Sequence, residues 1–88
     1  SPEGYKKATA VFEYTVSTRG LAKNITLIEI NPPGFEDMQK TIAREITNFV
    51  YRPRLENGNP VDTEKLLYSH DFYYLEDDLL LPEDKNVQ

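Results

Sequence analysis

The sequence predicts an α+β domain: a three-stranded antiparallel sheet built in the order β-β-α-β, with strand order 2-1-3 and one helix packed on one face. Three observations predict it. Ala8 to Ser17 alternates apolar and polar residues with period two, as a half-buried strand does. Phe35, Met38, Ile42, Ile46 and Phe49 recur at spacings of three and four, as on one face of a helix. Turn-forming clusters stand between the periodic segments and rule out longer elements. At 88 residues there is room for one hydrophobic core and no more.

Each element has its own justification. In the first strand Ala8, Ala10, Phe12, Tyr14 and Val16 share the buried face. Thr18-Arg19-Gly20 supplies a short turn into a second strand, Leu21 to Ile30, so the two form an antiparallel hairpin. In that second strand Ile25, Leu27 and Glu29 share one face and Thr26, Ile28 and Ile30 the other, so neither face is cleanly polar. Asn31-Pro32-Pro33-Gly34 ends it, because proline cannot donate to a ladder. The helix over residues 35–48 opens with Glu36 and Asp37, which suit the positive end of its dipole. It must stop before Pro53, which forces Arg52 into an extended conformation. Asn57-Gly58 within Glu56 to Pro60 is a tight-turn dipeptide. The third strand runs from Leu66 to Leu75, with Leu66, Tyr68, His70, Phe72 and Tyr74 alternating against Leu67, Ser69, Asp71, Tyr73 and Leu75. Order 2-1-3 leaves this long aromatic strand at an edge.

Around this domain, residues 8–75, the sequence predicts a flexible lead-in over residues 1–7 and an acidic, mobile tail over residues 76–88. Leu79-Leu80-Leu81 in the tail would reach the domain only through a short turn. Ser1 in place of an initiator methionine reads as a piece of a longer protein.

Composition excludes several functions. With no cysteine there is no disulfide, thiolate nucleophile or Cys-based metal site. One histidine, His70, rules out a multi-His metal site and makes a His-containing triad a poor prospect. It is expected at the surface or edge of its strand, with a pH-sensitive docking contact as the sharper reading. The carboxylates Glu64, Asp71, Glu76, Asp77 and Asp78 lack the spacing and glycine of a calcium loop. No catalytic residue, metal or cofactor is therefore expected. The net charge is −5, and residues 1–63 contribute none of it. The whole excess lies from Glu64 onward, which argues against nucleic acid as a partner. It reads as a solvated tail or, more sharply, as a docking element for a basic partner.

The run Val16-Ser17-Thr18-Arg19-Gly20-Leu21-Ala22-Lys23-Asn24-Ile25 resembles the first hairpin of the TonB C-terminal domain family. The helix from Phe35, with Ala43 as its small residue, is similar to that family's helix. Tyr51-Arg52-Pro53 matches its aromatic–x–Pro exit, and Gly58-Asn59-Pro60-Val61 its Gly–x–Pro–Val element before the last strand. Phe72 corresponds to the aromatic near that strand's end. The resemblance spans Ala8 to Tyr74. The chain departs from the family in its acidity, in its tyrosine-rich last strand and in having only seven residues before the first strand.

The resemblance implies a periplasmic domain of an inner-membrane-anchored energy transducer, the kind that serves iron uptake and other transport across the outer membrane. Such a domain binds a short segment of an outer-membrane transporter by strand addition and passes on force derived from the proton-motive force. An anchor, a Pro-rich spacer and contacts to inner-membrane motor proteins would lie upstream of Ser1. Leu66, Tyr68, Ser69, His70, Phe72, Tyr73 and Tyr74 would form the receiving edge. Gly20, Tyr51, Pro53, Gly58 and Pro60 would be fold-determining. A homodimer by exchange of the final strand is left open. The alternative is a docking domain in a larger periplasmic protein, following helical repeats for example, that binds partners without transmitting force. The remaining alternative is an enzyme or an unrelated ferredoxin-like fragment, for which three strands offer little cleft.

Overall fold

In the computed structural model, which describes residues 4–76, the chain order is β1 (Lys6–Val16), β2 (Ala22–Asn31), α1 (Glu36–Asn48), β3 (Arg54–Glu56), β4 (Asn59–Val61) and β5 (Thr63–Tyr74). β1 is the centre of a three-stranded sheet in the order β2-β1-β5, antiparallel on both sides. This is the expected 2-1-3 arrangement with one helix.

Alternation along β1 decides where the core lies. Ala8, Ala10, Phe12, Tyr14 and Val16 are all buried, and Ile42 and Ile46 of α1, with no exposure at all, cluster with the last four of them. Phe35 and Met38 at the start of the helical stripe are only half-buried, and Phe49 at its end is 44% exposed. The helix therefore seals the sheet at its middle and leaves both ends of the stripe at the rim.

β2 buries residues from both sides of its alternation because its register slips twice. Facing β1, one extra residue stands between Leu27 and Glu29, and another between Lys23 and Thr26. A bulge inverts which parity points inward. Ile25, Leu27 and Ile30 consequently all pack on the core. Asn24 takes the second slip at φ 55°, a conformation asparagine tolerates better than most residues.

The strands depart from the sequence-based reading by one residue at several ends, since β1 stops at Val16 rather than Ser17, β2 runs Ala22–Asn31 rather than Leu21 to Ile30, and β5 stops at Tyr74 rather than Leu75; the larger differences are these. β1 begins at Lys6 rather than Ala8, since Lys6 and Lys7 pair with Tyr74 and Tyr73, so the lead-in loses its last two residues to the sheet. Residues 54–61 form a small separate hairpin, β3–β4, around Asn57 and Gly58, which take φ 51° and 81° as a primed turn requires. β5 starts three residues early, at Thr63, and carries a slip at Lys65, φ 59°. The segment Leu79 to Leu81 lies outside the described residues.

Candidate functional site

β5 is the edge strand on one side of the sheet, and β2 the edge on the other. The two edges are physically unlike. The two slips in β2 break its row of backbone N–H and C=O groups and twist it, which is how proteins blunt an edge. β5 keeps one unbroken register against β1, from Tyr14↔Leu66 to Lys6↔Tyr74. Between Leu66 and Tyr74 it carries neither lysine, arginine nor proline, the residues that usually guard an edge. Among the described residues, its outer border pairs with no other strand.

The seven residues expected at this edge all lie on β5 and divide between its two faces. Leu66, Tyr68, His70 and Phe72 are half-buried on the helix side. Tyr68, His70 and Phe72 form a ladder of rings with centroids 6.1 and 6.2 Å apart. His70 thus lies on the edge strand, as expected, and is a rung between two aromatics. Phe49 meets Tyr68 edge-on at 5.5 Å, and Phe35 meets Phe72 edge-on at 5.1 Å, so the two rim residues of the helix bracket the ladder. Tyr74 is only 7% exposed, held under Phe35 at 5.0 Å, so its ring belongs to the packing and only its backbone to the edge. Ser69 and Tyr73 are exposed on the opposite face with Asp71. There Asp71 accepts a hydrogen bond from Thr9 Oγ1 at 2.7 Å and lies 3.8 Å from Lys7 Nζ. Those contacts cross to β1, not to the open border. At the end of β5, Lys6 Nζ donates to Glu76 at 2.9 Å, and this bond, with the charge of Glu76, raises the Lys6 pKa. So exposed a pair contributes little stability.

Phe35 stands out among these residues. It precedes α1 at φ 63° and ψ 44°, the left-handed region, and its side chain makes no cap for the helix. For an aromatic residue this conformation costs on the order of 1–2 kcal/mol. The edge-on contacts with Phe72 and Tyr74 offset that cost and fix the ring at the open end of β5.

The five residues expected to determine the fold fall into two groups. Gly20, Tyr51 and Pro53 meet in space: a Cβ on Gly20 would lie 2.7 Å from the Tyr51 carbonyl oxygen and 3.6 Å from Pro53 Cδ. The helix exit thus passes directly over the β1–β2 turn. Tyr51 then turns its ring onto Tyr14, centroids 5.7 Å apart, and its hydroxyl donates to the Ile46 carbonyl at 2.8 Å. The same carbonyl also accepts the Phe49 N–H at 3.4 Å, so two donors close the helix end on it. Asp62 ties the same region together, accepting from Thr18 N–H at 3.1 Å and Lys23 Nζ at 3.0 Å. Gly58 and Pro60 sit apart, in the β3–β4 hairpin.

Burial, with the Tyr14 hydroxyl adding to it, pushes the Tyr51 phenol up to about 12. The fold favours the neutral phenol. Its contribution is complete below the unfolded value near 10 and is lost as pH rises towards 12. For a half-buried group this amounts to on the order of 2 kcal/mol. Tyr51→Phe is expected to lower stability at pH 7 by about 1 kcal/mol, through the lost hydrogen bond. Urea denaturation at pH 7 and pH 11 checks both effects: wild type should lose more stability than Tyr51→Phe over that interval. Parallel losses would place the phenol in water.

Comparisons with protein families, curated proteins and solved structures give no match for this chain. Among the described residues no three His, Asp or Glu side chains group as a metal site.

Proposed function

We propose that this chain is a strand-accepting docking domain in which β5 receives an extended segment of a partner as a fourth strand. The observation that carries the reading is the contrast between the two edges: β2 is broken by two slips, whereas Leu66 to Tyr74 is regular, unguarded and aromatic. A regular edge provides the main-chain hydrogen bonds of strand addition, and side chains on alternate positions supply the selectivity. With the resemblance to the TonB C-terminal domain family, we assign the partner as a segment of an outer-membrane transporter and the setting as the periplasm. In that setting the domain couples an inner-membrane motor to transport and carries out no chemistry of its own. The meeting of Gly20, Tyr51 and Pro53 supports the resemblance, because residues far apart in sequence that were matched to family positions are neighbours in space.

Titration of the isotope-labelled domain with a TonB-box-like peptide tests this. Backbone amide shifts are expected along Leu66 to Tyr74, with β2 amides unmoved. A saturating titration that moves no β5 amide would defeat the proposal. The upstream sequence of the parent protein separates transduction from plain docking: a membrane anchor and Pro-rich spacer fit the first, a helical-repeat array the second.

A further inference from the structure

At the Tyr74 end of β5, Phe35 and Met38 of the helix side and Phe72, Tyr73 and Tyr74 of the strand line an open pocket of about 230 Å³. That is less than the roughly 300–1,000 Å³ of a small-molecule site. It suits a single large side chain. The pocket lies beside the free border, so its natural occupant comes from whatever pairs there. A fourth strand would run about 4.8 Å from β5, with alternate side chains on the helix side. A residue opposite Phe72 would then project towards Phe35 and Met38.

We infer that the pocket of Phe35, Met38, Phe72, Tyr73 and Tyr74 takes an aromatic or long aliphatic anchor from the docked strand, carried by the residue that comes to lie opposite Phe72. The inference rests on the strand-addition reading and specifies its partner as an apolar-anchored segment.

The test uses the blocked nonapeptide Arg-Thr-Phe-Thr-Val-Thr-Phe-Thr-Arg, whose palindromic order presents Phe opposite Phe72 in either strand direction. A variant replaces both Phe by Ser. Burying one aromatic is worth at least about tenfold in affinity, so the Ser peptide should bind at least tenfold more weakly. Met38→Gln keeps length and helix preference while removing apolar lining. It should weaken the parent peptide several-fold and leave the Ser peptide unchanged. Equal affinities of the two peptides, with β5 amides shifting in each case, overturn the pocket and leave strand addition standing. So does a Met38→Gln protein that binds the parent peptide as wild type does. No β5 shift with any peptide removes strand addition, and the pocket's role with it.

Discussion

Gly20→Ala should destabilise the domain by roughly 2–4 kcal/mol, and the reason lies outside the turn that contains it. Gly20 has φ +77°, where an alanine pays about 1–2 kcal/mol. That alone would make it an ordinary turn glycine. The added methyl would also stand 2.7 Å from the Tyr51 carbonyl oxygen. The obstacle is backbone, so no side-chain rotation relieves it. Either the turn or the helix exit must move. The exit cannot move freely, because Tyr51 is held by its bond to the Ile46 carbonyl and by its packing on Tyr14. The turn is held too, through Asp62 and through Gly20 N–H donating to the Ser17 carbonyl at 2.9 Å. Gly58→Ala is the matched control: its φ is +81°, and nothing lies within 4 Å of the added carbon. It should cost about 1 kcal/mol. For a domain of this size each kcal/mol moves the melting temperature by roughly 4–8 °C, so thermal denaturation separates the two variants clearly. Equal shifts would mean that the helix exit does not press on the turn.

That contact also marks how far the sequence could be read. Gly20, Tyr51 and Pro53 could be singled out as fold-determining, but nothing in their spacing says that they touch. The first strand and the helix were legible because each buries one face, and burial writes a period into the residues. Order 2-1-3 followed from a tight hairpin, one crossover helix and one remaining strand. The β3–β4 hairpin was not legible as strands: its flanks Arg54–Glu56 and Asn59–Val61 bury almost nothing, so no alternation is selected, and Pro60 within a flank argues against a strand. The slips in β2 left an indirect trace in its mixed faces, and Asn24 is a residue suited to such a slip. Lys65 gave no sign at all. At the candidate site the edge and its aromatics were readable, as was the single histidine. The pocket was not, because it depends on Phe35 adopting a left-handed backbone that no pattern of Phe35-Glu36-Asp37 foretells.

Ile42→Ala and Ile46→Ala should each cost about 2–4 kcal/mol, and together they should unfold the domain. Both side chains are completely buried, and they are the only residues of α1 that are. Removing three carbons from such a site loses their transfer free energy and leaves a cavity that the surroundings only partly fill. The surroundings here are Ala10, Phe12, Tyr14 and Val16 on the central strand, which the paired sheet holds in place, so little collapse is available. A domain of this length has on the order of 5–10 kcal/mol of stability in all, and the double variant removes most of it. Because the two isoleucines are one helical turn apart over one cluster, their effects should not simply add. Val50→Ala supplies the baseline: Val50 is 97% exposed, and its loss should change stability by less than about 0.5 kcal/mol. Urea denaturation followed by far-ultraviolet circular dichroism reads all four variants. The consequence reaches the docking edge, since the same helix carries Met38 and follows Phe35, two walls of the pocket. A single Ile42→Ala domain that still folds should therefore bind an anchored strand more weakly than wild type, although nothing on β5 has been altered. A loss below about 1 kcal/mol at Ile42 would mean that α1 rests on the sheet without sealing it, and the pocket at its end would lose its rigid wall.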